Sequence, residues 1–250
     1  SVVTETCHTG DSVAPANEPA GFEIVLLSVP RQVDYFTDTM RAVRLAFPRE
    51  TVHVVTNVSS PQYAAYVARP QTLLHVVDVT SLLGRDLKVR STAMYEYALS
   101  VVSPAADILV VEDDVAVSAH ASVGLQRTVQ EIWARGRTAP HGFVLDCYVV
   151  AWQGVLPRVA WEYAFVEDDF RCCTQCMYYS RAASPLVRTG LRQAWREHPT
   201  PYDFVIRDTT RRHGIPVYGT VSSLVQHRGV ISSGLTGTSF LHTSKRYDGF

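Results

Sequence analysis

An unbroken apolar run that ends in acid sets the terms for this chain. Ile108-Leu-Val-Val111, with Asp107 before it, reads as a short buried strand, and Glu112, Asp113 and Asp114 follow at once. A central strand of an α/β sheet is a run of this kind, and ligands collect beyond its carboxyl end. Three adjacent carboxylates repel one another and are costly to desolvate unless a cation sits among them. Oxygen ligands suit a hard divalent ion such as Mg²⁺ or Mn²⁺. The sharp expectation is a metal–diphosphate site at a strand tip; the plain one is a solvated acidic turn.

A response-regulator receiver domain also opens on a strand of this pattern, and Phe143-Val-Leu-Asp146 passes for its phosphorylated strand. Such a receiver needs a Lys at a later strand tip, and the only Lys after Asp146 is Lys245, near the chain end. Receivers begin at the acidic strand, whereas here a long α/β pattern precedes it. That reading is rejected.

The pattern before the triplet alternates. Phe22–Val29 is a predicted strand closed by Pro30, and Gln32–Phe47 has helical spacing through Val33, Phe36, Met40, Val43 and Phe47. A strand over Thr51–Thr56, a short helix over 61–69, a strand over Thr72–Val77 and a helix over Lys88–Val102 lead to the acidic strand. Beyond it come a helix from about Ser118 to Arg135 and a strand Phe143–Val149. Residues 150–170 form an irregular stretch with Trp152, Trp161, Tyr163, Phe165 and Glu167-Asp168-Asp169. Its rings read equally as a packed core edge or as a platform for sugar C–H faces. A strand over Thr174–Ser180 follows, then helices over Ala182–Glu197 and Tyr202–His213, the second stopped by Gly214. Short strands over Pro216–Val221 and Ser223–Gln226 precede a Gly/Ser/Thr-rich end suited to closing over a ligand. Alternation of this kind implies a largely parallel sheet with helices on both faces, in one domain. Residues 1–20, with Pro15, Asn17 and Pro19, read as a stem or extended arm.

Composition narrows the class of partner. With 46% hydrophobic and 19% charged residues, the 250-residue chain is an ordinary globular protein with a sizeable core. A formal net charge of −1 argues against nucleic acid or an anionic membrane surface as partner. No apolar run approaches the roughly 20 residues needed to span a bilayer, so a membrane enters only through an anchor upstream. Ser1 opens a polar segment, without the pattern of a signal peptide. The five cysteines are Cys7, Cys147, Cys172, Cys173 and Cys176, and no second pair or His partner completes a zinc set. One or two disulfides in an oxidising compartment are expected, with one thiol left over. Asn57-Val-Ser59 is a glycosylation sequon, which also favours a luminal home.

Several stretches then align with one family. Val25-Leu-Leu-Ser-Val-Pro-Arg31 and Tyr35–Val43 resemble the opening strand, loop and helix of N-acetylglucosaminyltransferase IV. They resemble equally the N-acetylgalactosamine transferase that decorates GPI anchors after their attachment to protein. Both carry a Glu-Asp-Asp triplet after an apolar strand, matching Glu112-Asp113-Asp114, and Leu224–Ser233 resembles their late Gln-His-x-Gly-x-x-Ser-Ser segment. The three matches keep their order across residues 22–233. The family shows Thr after the first-loop Pro, where here Pro30 leads straight to Arg31. Without the C-terminal sugar-binding domain of N-acetylglucosaminyltransferase IV, the resemblance leans toward the GPI-type relative or a protist or algal cousin.

The resemblance implies a GT-A type catalytic domain over 21–250 that uses a UDP-sugar and a divalent metal in the Golgi or endoplasmic reticulum lumen. A metal bridging the diphosphate assists the departing UDP. Asp114 is the expected direct ligand, with Glu112 and Asp113 holding the ribose or the metal's water. His227 is the second expected metal ligand; its plain reading is a surface His at a strand end. Arg31 is expected to pair with the phosphates, because a cation at a helix start opposes the dipole unless an anion joins it. Ser28 is expected to meet uracil or ribose through its backbone. Asp203, at the start of a late helix, is the expected base, though a capping role there is equally natural. Asp168 and Asp169 are held in reserve. Two functions from different classes follow: an inverting transferase moving GlcNAc or GalNAc to a glycan or glycolipid, and a non-catalytic luminal sugar- or nucleotide-binding relative. A metal-dependent phosphohydrolase is weaker, since further ligands cannot be assembled.

Overall fold

Apolar residues at every position from Ile24 to Leu27 leave neither face of the first strand, β1 (Phe22–Ser28), for solvent. Ile24 and Leu26 enter one core cluster, and Val25 and Leu27 enter another on the opposite face. A strand of that kind has to be central, with helices above and below. The computed structural model describes residues 21–29, 33–78, 82, 85–135, 140–149, 161–167, 174–197 and 199–228.

Helix α1 (Phe36–Ala46) buries Phe36, Met40 and Val43 at helical spacing, then β2 (Val52–Thr56) returns to the sheet. α2 (Pro61–Val67) starts on a proline, whose fixed φ and missing N–H suit a first turn. β3 (Thr72–Val76) is followed by α3 (Leu87–Ala98), whose Asp86 cap accepts from the Lys88 N–H at 2.8 Å. The acidic strand is β4 (Asp107–Glu112). After it come β5 (Val115–Val117), α4 (Ala121–Ala134), β6 (Val144–Asp146), β7 (Ala164–Glu167) and β8 (Cys176–Tyr179). The described chain closes with α5 (Ser184–Glu197), α6 (Tyr202–His213), β9 (Val217–Thr220) and β10 (Val225–His227). Gly214 ends α6 in the left-handed region at φ 62°, the conformation that glycine adopts without cost.

Eight strands form the main sheet in the order β3-β2-β1-β4-β8-β6-β9-β7. β3, β2, β1 and β4 run parallel, as do β6 and β9. β8 runs antiparallel between β4 and β6, and β7 runs antiparallel at the edge. Helices α1, α2 and α4 pack on one face, and α3, α5 and α6 on the other. The carboxyl ends of β1, β2, β4, β6 and β9 therefore share one end of the sheet. Two short strands were not expected. β5 pairs antiparallel with β10 in a separate ribbon, and β7 crosses the stretch read as irregular. Because β5 takes residues 115–117 and Ser118 donates its N–H to the Leu224 carbonyl at 2.9 Å, α4 begins later than expected.

Trp161 takes the packing role: its ring lies 5.6 Å from Tyr218, with the Arg135 guanidinium 4.7 Å above it. Cys147, just past the end of β6, and Cys176, the first residue of β8, are buried free thiols joined by a backbone bond of 2.9 Å. Cys7, Cys172 and Cys173 lie outside the described residues, as does the expected stem over 1–20.

Candidate functional site

The three acids at the tip of β4 leave the strand in three directions. Glu112 is the last residue of β4 and sits opposite Leu27, on the α3/α5/α6 face. Its Oε1 accepts from the Tyr202 hydroxyl and from Thr174 Oγ1, both at 3.0 Å. Asp113, only 3% exposed, turns toward β1. Its Oδ2 accepts from Ser28 Oγ at 2.7 Å and the Val29 N–H at 3.1 Å, and its own N–H donates to the Leu27 carbonyl. Thr39 Oγ1 donates to the Asp113 carbonyl at 2.7 Å, and Ser28 Oγ also lies 3.1 Å from the Tyr63 hydroxyl. The Ser28 side chain is thus committed to the protein, leaving its backbone for any ligand.

Asp114 goes the third way. Its Oδ2 lies 3.3 Å from His227 Nε2, although the residues are 113 apart in sequence. The β5–β10 ribbon makes this meeting, since Val115 is the register partner of His227 and the Arg228 N–H donates to the Asp114 carbonyl. His227 is 11% exposed along its side chain, and among the described residues its buried Nδ1 has no hydrogen-bond partner. Adjacent ligands on an octahedral ion with bonds near 2.1 Å stand about 3 Å apart, so this pair fits two positions on one cation. No group of three His, Cys, Asp or Glu side chains among the described residues is arranged to hold a metal unaided. A cation held by Asp114 and His227 would take further oxygens from outside this pair.

Helix α6 reaches the same place from the other face. Pro201 is its N-cap and makes no side-chain cap bond, so Asp203 sits inside the first turn, not at the cap. Its Oδ1 accepts from the Phe204 N–H at 2.9 Å. Burial raises the Asp203 carboxyl above the ordinary aspartate range, against the pull of backbone N–H groups and of Arg207. The neighbouring Tyr202 stacks on Tyr95 at 4.7 Å, and the Tyr95 hydroxyl lies 2.9 Å from that of Tyr179. Burial, and then the charge of Glu112, drive the Tyr202 hydroxyl pKa far up.

Ser28, Glu112, Asp113, Asp114, His227 and the α6 start are thus gathered at one end of the sheet. Arg31, Asp168 and Asp169 lie outside the described residues. Sequence reading passed over two partners of the triplet and dropped Asp146 with the rejected receiver pattern. Tyr202 and Thr174 bind Glu112 from distant segments, which no local signal announces. Asp146, 2% exposed at the tip of β6, stands at the same sheet end, and its Oδ1 accepts from the Tyr148 N–H. An apolar run ending in acid, as at Glu112, was its available signal.

No family model matches this chain, and no curated protein matches it in sequence. Solved structures do resemble it. TarS of S. aureus superposes with a TM-score of 0.54 at 9% identity, over 84% of this chain and 37% of that one. This fold is GT-A-like. The galactosyltransferase LgtC, solved in complex with donor and acceptor sugar analogues, has a TM-score of 0.48 at 12% identity, over 78% and 73% of the two chains. The glycosyltransferase GlyE of Streptococcus pneumoniae TIGR4 has 0.46 at 9%, over 79% and 45%. At these identities the likeness is one of fold, and the chain spans little more than a third of the length of TarS.

Proposed function

We propose that this chain is an inverting, Mn²⁺- or Mg²⁺-dependent glycosyltransferase that moves GlcNAc or GalNAc from a UDP-sugar to a glycan or glycolipid. Its proposed home is the Golgi or endoplasmic reticulum lumen, for which the Asn57 sequon speaks. The observation that carries the reading is the convergence of Asp114 and His227 at the tip of β4.

Asp114 and His227 would hold the divalent ion, with diphosphate oxygens and water completing its shell. When bound, the ion supplies Lewis-acid neutralisation of charge on the departing UDP. Asp113 fixes the loop after β1 by holding Ser28 and Val29, so the Ser28 backbone stands ready for ribose or uracil. Arg31, three residues after Ser28 in sequence, is proposed to pair with the phosphates. Asp203 would take the proton from the acceptor hydroxyl as that oxygen attacks the sugar opposite UDP, which inverts the anomeric centre. Its raised pKa makes it a better proton acceptor than an ordinary Asp.

The test is UDP release from UDP-GlcNAc, UDP-GalNAc and other UDP-sugars, with Mn²⁺ and with EDTA. Metal-dependent release from one donor is expected, and Asp114→Ala should abolish it in a protein that still folds. Silence with every donor, together with no UDP binding, overturns the transferase. Binding of UDP or glycan without transfer, unaffected by Asp203→Asn, would mark a non-catalytic relative instead.

A further inference from the structure

Glu112 is the first acid of the triplet, and its position invites a role against the donor. The contacts give it different work. Two protein hydroxyls donate to its Oε1: Tyr202 in the first turn of α6 and Thr174 just before β8. The Tyr202 ring lies flat on Tyr95 of α3, at 4.7 Å and 20°. Tyr95 in turn meets Tyr179 of β8 through their hydroxyls. A second tie binds the same helix entry, where Thr92 Oγ1 of α3 donates to the Thr200 carbonyl at 2.9 Å. The start of α6 is therefore pinned to β4, β8 and α3 within a buried aromatic cluster. Asp203 is the next residue after Tyr202, on that same pinned turn.

We propose that Tyr202 is a positioning residue, whose hydrogen bond to Glu112 fixes the first turn of α6 so that Asp203 is aimed at the donor site. The inference rests on the transferase reading above. Physically, a helix end frays first because its leading N–H groups have no partners within the helix. Its N-cap, Pro201, supplies no side-chain bond. The hydroxyl–carboxylate bond is charge-assisted and largely shielded from water, so it is stronger than a surface bond. It ties the base to the strand whose tip leads into Asp114. A base misplaced by about 1 Å costs up to a hundredfold in rate, so this tie has leverage on turnover out of proportion to its size.

Tyr202→Phe tests it. The ring and its stack on Tyr95 remain, and Thr174 still donates to Glu112. With UDP-GlcNAc or UDP-GalNAc and Mn²⁺, kcat should fall about tenfold or more while the Kd for UDP stays put. The pH at which turnover reaches half its maximum should move as well, because the surroundings of Asp203 change. Thr174→Val removes the other bond to the same oxygen and should affect kcat less. Equal kcat for Tyr202→Phe and wild type overturns the proposal. So does an equal loss of UDP affinity, which would return Glu112 to the donor. A wild-type protein silent with every donor removes the transferase reading and the proposal together, and is told apart because the variant is not needed to see it. If Tyr202→Phe does not fold, amide exchange on wild type decides: Val205 and Ile206 should exchange more slowly than the last turn of α6, and faster exchange overturns the clamp.

Discussion

The two flanks of the sheet are built by different rules. From β3 to β4 every strand is parallel to its neighbour, and a helix intervenes between successive strands. From β8 to β7 direction changes at most steps, and β7 enters as an antiparallel edge. In the first flank the strand order reverses beside β1, between β2 and β4, where doubly wound sheets place their ligands. Asp113 and Asp114 emerge there. The second flank supplies α6 and Asp146 at the same end of the sheet. Under the proposed reading, the parallel flank would hold the nucleotide end and the mixed flank would bring the base to it.

The sharpest way to break this division is at Asp203. Asp203→Asn should lower turnover by at least about a hundredfold while UDP affinity holds, because the mixed flank would serve only the acceptor. The pH profile adds a sign. A base must be ionised, and burial has raised this carboxyl. Turnover of wild type should therefore fall as pH drops through a value above the ordinary aspartate range. Loss of UDP binding in the variant would show that the two flanks do not divide the labour this way.

Next in size is the core of the parallel flank. Leu26 is wholly buried in β1, between β2 and β4. Leu26→Ala should cost about 3 kcal/mol in chemical denaturation, from lost transfer energy plus a cavity that rigid neighbours cannot fill. In the mixed flank the opposite error is instructive. A Cβ on Gly219 of β9 would fall 2.2 Å from Cζ of Phe165 on β7. Gly219→Ala should cost about 1–3 kcal/mol by overpacking, and pairing it with Phe165→Leu should recover part of that. If Gly219→Ala costs nothing, β7 is not seated on β9 as tightly as its ring contact requires.

The same contrast explains what sequence could read. In the parallel flank each element carries its own signal. β1 and β2 are apolar runs, α1 has helical spacing and α2 opens on Pro61, and the expected bounds lie within a few residues of those found. α6 and its Gly214 stop were equally legible. β5 and β7 were not, since β5 follows the acidic turn at once, β7 lies in a stretch of mixed composition, and each exists only through a partner distant in sequence. The antiparallel insertion of β8 between β4 and β6 is a long-range choice that no local pattern encodes. Within the site, the triplet and His227 were visible by type and by resemblance to a known family. Their separate tasks were not: the bonds from Ser28 to Asp113 and from Tyr202 to Glu112 join residues 85 and 90 apart.

The smallest expected effect lies at the outer edge of the parallel flank. Glu23, His53 and His75 share one face across β1, β2 and β3. His53 Nε2 lies 2.5 Å from Glu23 Oε2, and His53 Nδ1 lies 3.0 Å from His75 Nε2. The two imidazoles stack at 5.2 Å, and Tyr97 of α3 meets His75 edge-on. Burial first, and then the neighbouring His53 imidazole, hold the His75 pKa below that of a free histidine. In the unfolded chain His75 takes its proton near pH 6.5, but in the fold only at lower pH. The unfolded state therefore binds more protons in that window, and stability rises with pH across it. The contribution is complete above the unfolded value and is lost as pH falls toward the folded one. Denaturation midpoints taken on either side of about pH 6.5 should drop on acidification, and less so in His75→Phe, which keeps the stacked ring. Equal drops in the two proteins would place the pH response outside this edge and leave the parallel flank without a titrating group of its own at neutral pH.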